Sequence, residues 1–117
     1  MPALPDASTQ WEIDPATVAG LAEDIEAGRV ALVDCREPDE WDICHLPGAR
    51  LVPLSRFSEM SPALISQNVP SIVYCHHGMR SLRATQFLRA QGLAQSWSMT
   101  GGIDRWSNEV DPELPRY

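Results

Sequence analysis

Residues 71–81 read Ser-Ile-Val-Tyr-Cys-His-His-Gly-Met-Arg-Ser, and this stretch predicts a buried strand that leads directly into a helix. The run over 71–75 is largely apolar without alternation, which is typical of a strand buried on both faces of a sheet. From Arg80 to Gln91 the apolar residues have the spacing of an amphipathic helix, and Gly92 is a typical stop signal. A buried strand followed at once by a helix is the repeating unit of α/β proteins.

The same alternation continues outward in both directions along the chain. Further strands are predicted at 11–13, 30–33, 50–54 and 95–99, and further helices over 15–27, 37–41 and 55–67, the last of them interrupted at Pro62. Strands that alternate with helices predict an α/β fold around a mostly parallel sheet. A length of 117 residues suits a single domain, which we assign to residues 11–117, and residues 1–10 are expected to form a flexible N-terminal segment.

Charge is distributed unevenly along the chain, whose net charge is −7 and whose nine basic residues are all Arg. Residues 1–42 carry eleven acids and two Arg (net −9), residues 43–103 one acid and five Arg (net +4), and residues 104–117 four acids and two Arg (net −2). Such an acidic chain lacks the dense basic surface of a nucleic-acid binder, so no nucleic-acid partner is expected. We expect an anion site in the middle segment, as a local positive pocket on an acidic body.

Membrane segments, disulfides and metal sites are not expected from this sequence. No apolar run approaches the roughly 20 residues of a membrane-spanning helix, and the first residues do not resemble a signal peptide. Three cysteines (Cys35, Cys44 and Cys75) cannot form a complete disulfide framework, which predicts a cytoplasmic protein. His76 and His77 are adjacent and match no usual zinc spacing, so we expect no metal and no cofactor.

The loop between the predicted strand and helix, residues 75–81, carries the chemistry. Ligands of α/β sheets bind at the carboxyl ends of the strands, where N–H groups at a helix N-terminus can hold an anion. We expect Cys75 to have a lowered pKa there, because the helix dipole and Arg80 stabilise its thiolate. Gly78 permits a tight curl of the backbone, and Arg80 can bind an oxyanion. These residues predict a reactive thiolate beside an anion site.

Four motifs spread over residues 32–106 form a set. They are Leu32-Val33-Asp34-Cys35-Arg36-Glu37, His45-Leu46-Pro47-Gly48-Ala49, Cys75-His76-His77-Gly78-Met79-Arg80-Ser81 and Gly101-Gly102-Ile103-Asp104-Arg105-Trp106. In this order they resemble the motifs of the rhodanese-domain sulfurtransferases, whose active loop has a Cys, four intervening residues and an Arg. The resemblance implies a rhodanese-like α/β fold, with a five-stranded parallel sheet flanked by helices on both faces.

The resemblance also implies a two-step transfer of sulfur through Cys75. The Cys75 thiolate attacks the outer sulfur of a donor, either thiosulfate or a protein persulfide, and the resulting Cys75 persulfide passes that sulfur to cyanide or a thiol. Arg80 is the second catalytic residue and binds the donor anion. The substrate-binding residues implied are His76, His77, Gly78, Met79, Arg80 and Ser81.

Residues outside the loop are expected to support it. By resemblance, Asp34 and Arg36 brace the loop, with Arg36 paired to a helix carboxylate such as Glu40. Cys35 is by default a small buried hydrophobe, and Cys44 is a candidate for an exposed thiol. Either of them could resolve the persulfide as a disulfide, and the sequence does not choose between them.

Two other functions stay open at this stage. One is a rhodanese-like interaction module without turnover, although Cys75 and Arg80 are both present here. The other is a relative of phosphatases or arsenate reductases, but related phosphatases have five residues between Cys and Arg, which gives a wider cradle sized for phosphate. The sequence identifies neither the physiological donor and acceptor, nor the pathway, nor whether the chain is a monomer or a homodimer.

Overall fold

The structure is a computed structural model that describes residues 2–117. Its elements are, in chain order, β1 (Glu12–Ile13), α1 (Pro15–Ala19), α2 (Ala22–Glu26), β2 (Ala31–Asp34), α3 (Pro38–Ile43), β3 (Arg50–Leu51), a 3-10 turn (Leu54–Arg56), α4 (Phe57–Gln67), β4 (Ser71–Tyr74), α5 (Met79–Ala90), β5 (Ser96–Met99) and α6 (Gly102–Glu109). The strands form one sheet in the order β1-β5-β4-β2-β3, and every pairing is parallel. The predicted α/β fold with a five-stranded parallel sheet is confirmed.

The sheet separates two apolar clusters, one on each face. Every residue of β2, β4 and β5 is buried. Burial on both faces was predicted for β2 and β4 from their apolar runs, whereas β5, with its two serines, was predicted only as a strand. On one face α1 and α6 contribute Val18, Ile103 and Trp106, and on the other α4 and α5 contribute Leu64 and Leu88. Helices on both faces account for the burial of the three central strands.

Two predicted helices differ from those of the structure. The helix predicted over 15–27 is two short helices, because Gly20, a weak helix former, ends α1 before α2 begins. The interruption predicted at Pro62 is wrong, since α4 runs through that residue. Pro62 removes a single backbone hydrogen bond, and Phe57 and Leu64 on either side of it are anchored in the core.

Two further elements differ in length or existence. The strand predicted at 50–54 pairs over only two residues, and Pro53 just beyond them has no N–H to donate to a sheet. The helix α6 was not predicted, because its start at Gly101-Gly102 reads as a loop. Over residues 2–117, no helix has both the length and the apolar character that a membrane crossing demands.

Residues 2–10 contact the domain. Arg89 donates hydrogen bonds to the carbonyl oxygens of Ala7 (2.8 Å) and Gln10 (2.7 Å), and Leu4 packs against the core. The flexibility of this segment stays a prediction, and Met1 lies outside the described residues.

The carboxyl ends of two neighbouring strands fix the position of the site. β2 and β4 pair in register up to Asp34 and Tyr74, so Cys35 and Cys75 follow at the same edge of the sheet. α5 begins four residues after Cys75, and its N-terminus therefore lies at that edge.

Candidate active site

The loop after β4 curls around the sulfur of Cys75, which is 1% exposed. The N–H groups of Gly78 and Ser81 donate to this sulfur at 3.1 and 3.3 Å, and Ser81 Oγ lies 3.4 Å from it. Gly78 has a φ of +106°, a conformation that favours glycine and that turns the chain into α5. The N–H groups of Met79 and Arg80 open the helix, where no intrahelical acceptor exists for them. The result is a ring of donors around one thiol.

The pKa of Cys75 is lowered to about 5. The largest cause is a side-chain hydrogen bond from Cys35, which outweighs the opposing effect of burial. The Ser81 hydroxyl and the N–H groups of Ser81 and Gly78 lower this pKa further. Cys75 is therefore a thiolate at neutral pH, because hydrogen bonds to the charged form favour ionisation.

Arg80 is held by Glu40 of α3. Its two terminal nitrogens lie 2.7 and 2.9 Å from the two carboxylate oxygens, a bidentate pair that joins α5 to α3. This pair lowers the pKa of Glu40 to about 2 and raises the pKa of Arg80. Arg80 was predicted to bind the anionic sulfur donor, but in this structure its guanidinium is paired with the Glu40 carboxylate.

Arg36 has a different partner from the one predicted. Its guanidinium pairs with Asp34 at 2.7 Å, both side chains are 0% exposed, and the expected pairing with the Glu40 carboxylate is wrong. Asp34 is only two residues away and accepts hydrogen bonds from both the backbone N–H and the guanidinium of Arg36. Arg36 donates further to the carbonyl of Cys44 at 2.6 Å and to Tyr117 Oη at 2.8 Å. This buried network fixes the segment that follows β2.

The N-terminus of α6 donates hydrogen bonds to the backbone of the active loop. The N–H of Ile103 donates to the carbonyl of Cys75 at 2.8 Å, and that of Asp104 donates to the carbonyl of His76 at 3.1 Å. Gly102 has a φ of +62°, and a Cβ at this position would overlap both carbonyl oxygens. This contact was not predicted from the sequence, where the pair of glycines at 101–102 was the available signal.

A second missed residue is Ser98 of β5. Its hydroxyl lies 2.7 Å from Ser81 Oγ, and both residues are buried. Ser81 also donates to the carbonyl of Gly78 at 3.2 Å, so the hydroxyl pair ties the loop to the sheet. A polar residue inside the buried strand 96–99 was the available signal.

Aromatic rings line the rim of the site. The His76 ring stacks on His77 at 4.0 Å and on Tyr117 at 4.1 Å between centroids. Tyr117 donates to Glu40 Oε2 at 2.6 Å, so the ring is fixed beside the Arg80 pair. Burial and the neighbouring His77 lower the pKa of His76, which keeps that ring neutral at neutral pH. Met79 is 73% exposed at the mouth of the loop.

One group of side chains at the rim offers ligand atoms for a metal ion. His76, His77 and Asp104 place these atoms within 4.8 Å of one another. Asp104 already pairs with Arg116 at 2.9 Å, so a cation in this group would have to displace the guanidinium.

Comparison with known proteins identifies the family. The sequence model of the rhodanese-like domain matches residues 17–109. The chain belongs to the rhodanese-like domain family. Two curated relatives are the rhodanese-like/PpiC domain-containing protein 12 of Arabidopsis thaliana, 38% identical over 89 residues, and the probable adenylyltransferase/sulfurtransferase MoeZ of Mycobacterium tuberculosis, 32% identical over 114. They align with 74% and 96% of this chain, which spans only 30% and 29% of their lengths.

A solved structure gives the same fold. The rhodanese-related protein of Thermoplasma volcanium superimposes with a TM-score of 0.72 at 29% identity, over 86% of this chain and 93% of that one. This rhodanese-like domain is thus related to sulfurtransferase domains such as that of MoeZ.

The residues predicted for the site of this rhodanese-like domain fall into three groups. Gly78 and Ser81 face the Cys75 sulfur, whereas Met79 and His77 are exposed at the mouth. Asp34 and Arg36 lie in the buried network next to the loop. Glu40, Ser98 and Gly102 complete the site from other elements, each through contacts distant in sequence.

Proposed function

We propose that this rhodanese-like domain is a sulfurtransferase whose Cys75 carries sulfur as a persulfide, taken from thiosulfate or a protein persulfide and passed to a thiol or cyanide. The observation that carries the proposal is the Cys75 sulfur inside its ring of donors, with a pKa lowered to about 5. A thiol with that pKa is ionised at neutral pH, and the thiolate is the form that attacks sulfur.

The two proposed steps use the same thiolate. In the first, Cys75 attacks the outer sulfur of thiosulfate, the bond from that sulfur to the sulfonate breaks, and sulfite leaves with the electron pair. In the second, an acceptor thiolate attacks the outer sulfur of the persulfide, and Cys75 leaves as a thiolate again. Fixed N–H groups that stabilise the Cys75 thiolate can also stabilise the persulfide anion. Because these donors are already oriented, no solvent has to reorganise around either anion during the reaction.

Arg80 has a supporting part in this proposal. Its guanidinium is engaged by both oxygens of Glu40, so the N–H groups of the loop are left to receive the charge of the donor. The pair keeps the first turn of α5 against α3, which holds those N–H groups in place. The interval of four residues between Cys75 and Arg80 supports sulfur over phosphate as the group transferred, since one more residue would widen the loop.

Sulfite release tests the proposal directly. Thiosulfate without an acceptor should yield one sulfite per chain, immediate alkylation should trap the extra sulfur on the Cys75 peptide, and added cyanide should yield thiocyanate. Cys75→Ser should release no sulfite. Cys44→Ser is the control and should react as the native chain does, because the Cys44 thiol donates a hydrogen bond to the Pro115 carbonyl and does not face the Cys75 sulfur. A native chain that releases no sulfite contradicts the proposal and favours an interaction module, and hydrolysis of an aryl phosphate without sulfite release favours a phosphatase.

A further inference from the structure

Cys35 lies beside Cys75 on the neighbouring strand. The pairing of β2 with β4 continues past its last register pair, because the N–H of Cys35 donates to the carbonyl of Tyr74 at 3.0 Å. Both cysteine side chains belong to the same apolar cluster on one face of the sheet. Neighbouring strands lie about 4.8 Å apart, within the roughly 4.4–6.8 Å between Cα atoms that a disulfide spans.

Cys35 lies on the same face of the sheet as Cys75, whereas Cys44 lies on the other face. Cys44 Sγ donates to the carbonyl of Pro115 at 3.2 Å and belongs to the cluster on the opposite face of the sheet. Cys35 is 0% exposed and belongs to the same cluster as Cys75. The reactive group next to it on the neighbouring strand is Cys75.

We infer that Cys35 is the resolving thiol of the Cys75 persulfide, so that without an acceptor the chain releases sulfide and forms a Cys35–Cys75 disulfide. The inference rests on the proposed function and specifies one fate of the transferred sulfur. Cys35 Sγ attacks Cys75 Sγ, the bond from Cys75 Sγ to the outer sulfur breaks, and the outer sulfur takes the electron pair. The proton of the Cys35 thiol passes to that sulfur, which leaves as HS⁻. The outer sulfur is reduced by two electrons, and the two cysteine sulfurs are oxidised to the disulfide.

The resting state of the site suits this role. The hydrogen bond to Cys75, and then burial, raise the pKa of Cys35, so its thiol is protonated while Cys75 is the thiolate. Once Cys75 carries sulfur, the negative charge moves one atom outward, and the thiol proton has an acceptor there. A dithiol reductant restores both cysteines by thiol–disulfide exchange, so every release of sulfide after the first depends on a dithiol.

A single-turnover experiment on the full chain tests the inference. The chain is loaded with thiosulfate labelled in its outer sulfur, freed of excess donor and kept without an acceptor. We expect one labelled sulfide per chain, a mass two hydrogens below that of the reduced chain, and a non-reduced digest that joins the Cys35 and Cys75 peptides. The rate should not depend on protein concentration, because both thiols belong to one chain, and a dithiol should allow a second round.

Two variants complete the experiment. Cys35→Ser keeps a hydroxyl donor beside Cys75 but cannot form the disulfide, so it should keep its labelled persulfide and release no sulfide. Cys44→Ser should behave as the native chain. A stable persulfide in the native chain overturns the inference and leaves the proposed function standing, as does a disulfide that joins Cys44 or two chains. A native chain that never releases sulfite overturns both. If Cys35→Ser does not fold, the non-reduced digest of the native chain still shows whether the Cys35 and Cys75 peptides are joined.

Discussion

The Cys75 thiolate depends, at the scale of single residues, on the thiol of Cys35, whose hydrogen bond is the largest cause of its lowered pKa. We predict that Cys35→Val raises the pKa of Cys75 by about one unit, because one donor to a charged sulfur is lost and an S–H is a weak donor. Cys35→Ser retains a donor and should leave this pKa near its native value. The pH dependence of iodoacetamide labelling, followed on the Cys75 peptide, measures the change. Equal midpoints for the native chain and Cys35→Val would contradict the prediction.

The N-terminus of α6 shapes the active loop at the scale of whole elements. Gly102→Ala would force a Cβ against the carbonyl oxygens of Cys75 and His76, at a φ of +62° that also strains alanine. We predict that this variant lowers the free energy of unfolding by at least about 2 kcal/mol and loses most sulfite release, because the loop must move away from its ring of donors. Urea unfolding and the sulfite assay measure the two effects.

Gly28→Ala is the matched control for this prediction. Gly28 has a φ of +80°, but an added Cβ would meet nothing within 4 Å, so only the conformational cost of about 1 kcal/mol applies. Sulfite release should stay native in Gly28→Ala. Equal losses in the two variants would show that the contact with the loop is not what requires glycine at 102.

Glu40 connects distant parts of the whole molecule, since its carboxylate accepts hydrogen bonds from Arg80 of α5 and from Tyr117 in the C-terminal segment. Its pKa falls from 4.5 to about 2 on folding, so this stabilisation is present above about pH 4.5 and is lost as the pH falls towards 2. We predict that Glu40→Gln lowers the free energy of unfolding at neutral pH by on the order of 2 kcal/mol, discounted because Arg80 is a third exposed. The difference from the native chain should shrink as the pH falls from about 4.5 towards 2.

Urea unfolding at several pH values measures this difference. Glu59→Gln is the control, because Glu59 pairs with Arg56 at the surface, where both side chains are largely exposed and an ion pair contributes little. If the difference in free energy of unfolding between the native chain and Glu40→Gln stayed constant from neutral to acid pH, the stabilisation could not be assigned to the ionised carboxylate.

The sequence predicted what short stretches of chain determine. The strand, loop and helix that present Cys75 are contiguous, so their pattern could be read, as could the burial of the central strands. The partner of Arg80 lies 40 residues away, and no local pattern reveals that Glu40 would occupy its guanidinium. The contact of Gly102 with the loop, and the turn of Cys35 towards Cys75, likewise depend on strand order and register, which become known only once the sheet is assembled.

The register of β2 against β4 has an evolutionary consequence. It sets residue 35 against the nucleophile in a chain that keeps this sheet order, whatever the loop itself contains. Two rhodanese-like domains with identical loops, one with Cys and one with Val at this position, are therefore expected to differ when no acceptor is present: the first releases free sulfide, and the second keeps its persulfide. A single codon outside the active loop would then be enough to decide how long such a domain can store sulfur between donor and acceptor.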